Sequence, residues 1–367
     1  MFTAVLPLVL TIFFTIFSQS VVATTEGTIK TVNPNHHAVI VQYHHVSEAT
    51  PPSTSISPEG FAEHLQLIDD LGFQVLPLID VIEGLHSGIG FKQKTLAITF
   101  DDSYDSIYTT AFPLLKARNL PFTIFVNPLA IDEQHGSTMT WENLIEMQTQ
   151  GATIANHSQE HLHLLKKIDN ETQLDWKQRI QGDILTAQNR LVEKLGIKNR
   201  YFAYPYGEFD EALKQLLSEL NFISFSQQSG PINISNDFQS LPRFPASGIY
   251  ANPATLKVKL NSLPFQIINV EPKPIIRSEL ESAPQLILTV KPNNIHYQQA
   301  QCFYQGEAID TTAQLVEDTL VIQAQFNGPL ALGRSRYNCT APSKTSREYY
   351  WYSIPFITIG ENNTWVD

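Results

Sequence analysis

The sequence predicts an α/β fold: an irregular (β/α) barrel of seven or eight units, followed by a small all-β, sandwich-like region. Three observations predict it. From about residue 38 to 245, short apolar runs alternate with amphipathic helical stretches, the pattern of a parallel sheet covered by helices. The number of such units favours closure into a barrel over an open sheet. Beyond residue 265 helical periodicity stops, and short strand-like runs follow at sandwich-like spacing.

The elements follow in order. Residues 2–17 carry no charge, and Val21 and Ala23 sit at the −3 and −1 positions of a small-residue cleavage site. Residues 1–23 are therefore expected to be a secretory signal peptide, cut after Ala23. The alternative is an uncleaved anchor, although the run falls short of the ~20 apolar residues of a span. With no cysteine near the junction, a lipoprotein is not expected, and no other stretch approaches a membrane span.

Residues 24–265 are assigned to the barrel. Its strands are expected at 38–43, 73–78, 95–100, 122–126, 152–156, 201–204, 222–226 and, more weakly, 240–244. Helices are expected at 58–71, 106–119, 140–150, 171–195 and 208–219. In the first, Phe61, Leu65, Ile68 and Leu71 recur at helical spacing and Gly72 supplies a stop. Residues 266–284, rich in proline, are expected to be a linker, and 285–367 the sandwich-like region. Cys302 and Cys339 both fall there. In an exported protein they are expected to pair, contributing roughly 4 kcal/mol by loop-entropy arithmetic. Tyr349-Tyr350-Trp351-Tyr352 reads as the alternating core and surface aromatics of a sandwich strand, with sugar stacking as the alternative.

Composition excludes several classes. A net charge of −12 without a long basic block argues against nucleic-acid binding driven by phosphate contacts. Two cysteines exclude a disulfide-dense scaffold and a Cys-rich zinc module.

Four polar clusters stand at four expected strand ends. Asp101-Asp102 follows TLAITF: one carboxylate could bind a metal while the other stays free as a base, or the pair could be a solvated loop with a helix cap. His157-Ser-Gln-Glu-His161 follows ATIAN; two histidines four apart share one face of a helical turn, which suits one metal ion. Joined to a carboxylate from another strand end, they make a His/His/Asp site with room for water and substrate. Tyr204-Pro205-Tyr206-Gly207 forces a tight turn whose N–H groups could face an oxyanion. Tyr43-His44-His45 follows VIVQ, and His44 reads as either a functional or a structural residue. Arg243, after the weak strand at 240, could orient a carboxylate or lie on the surface. A single barrel face would gather all of them.

The run ITFDDSYDSIYTTAFPLLKARNLPFTIFV, then NHSQEHLHL, then FAYPYGEFD, resembles the NodB-homology polysaccharide deacetylases of carbohydrate esterase family 4, over about residues 38–245. The resemblance implies a NodB-type barrel holding one divalent metal, zinc first with cobalt or nickel as alternatives, on Asp102, His157 and His161. It implies that Asp101 is the general base and that the backbone N–H of Tyr206 helps bind the oxyanion.

Three departures stand out. Ser103 replaces the usual glycine after TFDD, and Ala203 occupies the position of the motif arginine that steadies the base, for which Arg243 is the candidate substitute. The late Leu-x-His that supplies the acid is absent. The early YHxV segment and FAYPYG are similar to the branch that deacetylates poly-N-acetylglucosamine exopolysaccharides, where the early histidine is the acid; here that is His44. The implied activity is removal of N-acetyl groups from a polysaccharide by an exported enzyme. Chitin or peptidoglycan deacetylation and O-acetyl ester hydrolysis use the same chemistry. A non-catalytic glycan-binding protein on a decayed barrel is the reading from another class.

Overall fold

Each barrel strand is a short, mostly buried and largely apolar run with a polar residue at its end or just past it. They are β1 (His37–Tyr43), β2 (Thr95–Asp101), β3 (Thr123–Val126), β4 (Thr153–Asn156), β5 (Tyr201–Ala203) and β6 (Ile223–Phe225). The computed structural model describes residues 1–2, 36–273, 276–361 and 364–366; beyond Met1 and Phe2, the expected signal peptide lies outside the described residues. Spatial order follows chain order from β1 to β6, every neighbouring pair parallel. Registers level the strand ends: Tyr43 lies beside Phe100, Asp101 beside Phe125, Val126 beside Asn156, and Ala203 beside Phe225. Residues just past these ends therefore share one rim.

The weak run at 240–244 spans the seam of the curled sheet. Leu241 bridges to Phe225, and Phe244 and Pro245 pair with Val41 and Gln42. Arg243 is thus carried between β6 and β1.

Strand residues alternate between two faces. Val39, Val41, Tyr43, Leu96, Ile98 and Phe100 pack with Phe61, Leu65 and Ile68 of α1 (Pro58–Asp70). Ala38, Ile40 and Ala97 face the other way, with Phe125, Phe225 and the apolar side of α2 (Leu78–His86). α1 starts where Ser57 Oγ accepts the Gly60 N–H and Pro58 fits the first turn. Truncating its fully buried Phe61 to alanine should cost about 3–5 kcal/mol.

Expected strand 73–78 is reduced to Gln74–Val75, because Pro77 caps α2, which begins at Leu78. The two residues pair with Thr95 and Leu96, on the edge where β3 pairs further along β2. The other expected strands form, except that 240–244 is cut to a bridge at Leu241 and a strand at Phe244–Pro245; the five expected helices form, the second opening with a π-turn at Ile107–Ala111. A helix at Pro253–Leu260 was not expected.

The stretch read as a linker, 266–284, contributes two short strands. Ile267–Glu271 pairs with Leu286–Val290, and Ile276–Ser278 with Ile357–Ile359. Pro272 and Pro284 fall between these strands, where no ladder N–H is needed. The C-terminal part is two facing sheets. One contains Leu286–Val290, Asp310–Val316 and Thr319–Gln325; the other contains Gln301–Tyr304, Gly333–Pro342 and Tyr349–Ile359. Inward residues from both, including Leu288, Ile322, Tyr337 and Ile354, make one core. Cys302 and Cys339 are cross-strand partners and form the disulfide. The aromatic run is packed: Trp351 meets Phe244 edge-on, and Tyr350 lies against Phe265.

Candidate functional site

Asp101 ends β2 and Asp102 begins the turn after it. Asp102 takes φ 65°, a left-handed conformation rare for a residue with a side chain. Ser103, where the family has glycine, is not left-handed; its hydroxyl bonds Asn127 Oδ1 at 3.0 Å and its carbonyl accepts the Met139 N–H. The strain falls on the aspartate, so serine is accommodated.

Asp102, His157 and His161 converge. Their ligand-grade atoms all lie within 4.8 Å of one another, with His161 Nε2 3.3 Å and His157 Nε2 3.5 Å from Asp102 Oδ1. His157 Nδ1 lies 2.8 Å from the Ala203 carbonyl, which can only accept, so the proton is on Nδ1 and the Nε2 lone pair faces the cluster. That Nε2 is buried and has no hydrogen-bond partner among the described residues. Burial, reinforced by His161, lowers the His157 pKa to about 4 against the opposing pull of Asp101 and Asp102, so the ring is neutral. Two imidazoles and one carboxylate, one nitrogen orphaned toward the others, fit a divalent cation with open positions.

The histidines do not share a helix, as their spacing suggested. Residues 157–163 form a loop with Ser158 and His161 left-handed. Hydrogen bonds from within the segment and from the distant Asp183 hold it. Asn156 Oδ1 accepts the Ser158 N–H, Ser158 Oγ accepts the His161 N–H, and the Asp183 carboxylate accepts the Gln159 and Glu160 N–H groups.

Asp101 is fully buried in a different environment. Arg243 meets it with Nη1 to Oδ1 at 2.6 Å and Nη2 to Oδ2 at 2.7 Å, and Gln42 Nε2 donates to Oδ2. Burial pushes this carboxyl up, but Arg243, His157 and His44 outweigh it and hold it below the usual range. Arg243 thus meets the carboxylate for which the resemblance expects a motif arginine. Its guanidinium is buried over Phe125, with Nε on the Ser226 carbonyl.

His44 is half-buried directly after Tyr43, near enough to act electrostatically on both Asp101 and His45. His45 turns away to stack on Tyr104 at 3.6 Å. Tyr206 sits in the Pro205–Gly207 turn at φ 58° and ψ 0°, a conformation costing about 1–3 kcal/mol. Its ring stacks on His163 at 4.1 Å and lies 4.7 Å from His161. All seven residues picked from sequence therefore lie on or beside one rim.

Sequence reasoning missed Gln42, Tyr104, Asp183 and Glu208. Gln42 had a signal, a polar residue inside an apolar strand. Tyr104 touches the Asp102 environment, where burial and that carboxylate raise its phenol pKa.

The polysaccharide deacetylase family profile matches residues 89–224, which include Asp101, Asp102, His157, His161 and Tyr206 but not His44 or Arg243. The poly-beta-1,6-N-acetyl-D-glucosamine N-deacetylase of Escherichia coli K12 is 23% identical over 333 residues, covering 79% of this chain and 46% of that protein. The protein of the same name from Staphylococcus epidermidis is 27% identical over 194 residues, covering 52% and 67%. The chain spans about half the length of the E. coli relative, and 62% of YxkH from Bacillus subtilis, to which it is 26% identical over 51% of its own length. Among solved structures, IcaB from Ammonifex degensii aligns with TM-score 0.53 and 25% identity over 61% of this chain and 97% of that one. The Streptococcus pyogenes deacetylase PplD, in complex with acetate, aligns in fold with TM-score 0.54 and 22% identity over 60% and 96%. Profile, curled barrel and the rim at β2 and β4 agree that this chain carries a polysaccharide deacetylase domain.

Proposed function

We propose that this protein is an exported, metal-dependent hydrolase that removes N-acetyl groups from a poly-N-acetylglucosamine-type polysaccharide and releases acetate. The observation that carries the reading is the division of labour between adjacent carboxylates. Asp102 faces two histidines, while Asp101 is held apart by Arg243. Relatives named for poly-beta-1,6-N-acetyl-D-glucosamine deacetylation support the substrate class. The uncharged run at 2–17 and the disulfide support export; among the described residues no helix is long and apolar enough to cross a membrane.

Asp102, His157 and His161 would hold the ion, zinc by donor type, which when bound polarises an amide carbonyl and acidifies water. Asp101 takes the proton from the attacking water. Held ionised by Arg243, it is always available but only weakly basic, so it suits a water that is already acidic. Gln42 and Arg243 fix the direction of its carboxylate. The Tyr206 N–H meets the oxyanion that develops on the acetyl carbon. His44 donates a proton to the departing amine as the C–N bond breaks, leaving acetate and a free glucosamine unit.

Purified protein loaded with zinc should release acetate from β-1,6-linked N-acetylglucosamine oligomers faster than from chitin oligomers or O-acetylated glycans. Zinc-loaded, folded protein that releases no acetate from any of them overturns the reading.

A further inference from the structure

We propose that the C-terminal β region is a working part of the site, because Arg334 and Arg336 are positioning residues that brace the turn carrying Tyr206. Both belong to the strand Gly333–Pro342 and are two residues apart, so they leave it on one face. Arg334 lies over the Tyr206 ring at 5.0 Å, and its Nη1 is 3.3 Å from Glu208 Oε1. Glu208 is 2% exposed, and its other oxygen meets His163 Nδ1 at 2.8 Å. His163 in turn stacks on the Tyr206 ring, 12° from parallel. One buried carboxylate therefore ties together the two groups that grip Tyr206.

Arg336 acts on the next residue, Gly207, only through Gln227. Its Nη1 donates to the Gln227 carbonyl at 3.1 Å and its Nη2 to the Tyr250 hydroxyl at 2.7 Å. The Gln227 side chain lies against Gly207 so closely that a Cβ there would come within 2.6 Å of it. Tyr206 and Gly207 are consecutive left-handed residues, at φ 58° and 72°. Such a turn persists only where its surroundings over-determine it, and these two arginines reach it from outside the barrel.

The consequence for turnover rests on the deacetylase reading; the brace itself does not, and two readouts separate them. In the full chain, Arg334→Ala/Arg336→Ala should speed amide hydrogen exchange of peptides covering 204–209 by about ten-fold, with 95–102 unchanged. On N-acetylglucosamine oligomers kcat should fall about 10–100-fold with KM within two-fold and zinc stoichiometry unchanged, the mark of a misplaced group. Arg334→Lys/Arg336→Lys, which keeps the charges, should recover part of kcat and serves if the alanine pair does not fold. Unchanged exchange overturns the brace whatever the activity. A raised KM with unchanged kcat overturns it too, since the arginines would then be meeting the polysaccharide. Faster exchange in the variant of a parent that releases no acetate sinks the deacetylase reading and keeps the brace.

Discussion

Arg243 closes on Asp101 with both guanidinium nitrogens, across 142 residues of sequence and with neither side chain exposed. Two desolvated charges repay their burial only through such paired geometry. The barrel seam makes it possible: the chain crosses from Phe225 to Val41 through the residues around Arg243.

Removing one partner should therefore be costly. Arg243→Ala strands a buried carboxylate and should destabilise the fold by about 3–5 kcal/mol, read as a lowered urea midpoint. Arg243→Lys keeps the charge but loses the fork, so it should lose less stability while still slowing acetate release. An alanine variant with the parent's midpoint would show that the pair contributes nothing.

The neighbouring carboxylates should separate cleanly by what they hold. Asp101→Asn should end acetate release and leave zinc content intact, whereas Asp102→Asn should lose zinc. In the parent, added zinc should raise thermal stability in step with its free concentration, by about 2.7 kcal/mol at 100 times its Kd. Asp102→Asn should be blind to it. Zinc loss in Asp101→Asn would contradict the assignment of Asp101 as the base.

What could be read in the sequence was whatever is local. Strand ends, the two histidines after β4 and the Pro-Tyr-Gly turn each carry their signal within a few residues. The means of support were not local. His157 and His161 were read as sharing a helical face, but they meet across a loop held by Asp183, from a helix more than twenty residues further on. The proline-punctuated stretch at 266–284 was read as a linker because its short strands pair with partners up to Ile359. Glu208 was not singled out, because its buried partners are distant in sequence: His163 and Arg334, the latter supplied by the other end of the chain. Arg243 was legible as a candidate from its place after a weak strand, but which carboxylate it meets was suggested only by a resemblance, since nothing nearby hints at Asp101.

His44 should matter in proportion to how badly the leaving group needs a proton. His44→Ala should slow N-acetyl hydrolysis by about 10²–10⁴-fold. An activated acetate ester, whose leaving group departs as an anion, should lose far less. Comparing the two substrates on the same variant checks this, and an equal loss on both would give His44 a role other than acid.

Acid should destabilise the metal-free protein through histidines kept neutral by burial. His64 is fully buried, with Nε2 2.7 Å from the Ala251 carbonyl; that nitrogen must donate, so Nδ1 accepts the Tyr43 hydroxyl at 3.0 Å. Burial lowers its pKa although the Ala251 carbonyl pulls the other way, and His157 is lowered to about 4. Below about pH 6.5 the unfolded chain takes up protons that these rings refuse when folded. Stability is thus fully present above that pH and falls as pH drops below it, for His157 down to about 4, by up to about 1.4 kcal/mol per pH unit for a group that stays neutral. His64→Gln offers an N–H to Ala251 and an acceptor to Tyr43 without titrating. Urea unfolding in chelator at pH 7.5, 6.0 and 4.5 should give this variant a shallower acid slope than the parent. Equal slopes would place the loss on other groups, because the mutation removes the titration while leaving both hydrogen bonds a donor and an acceptor.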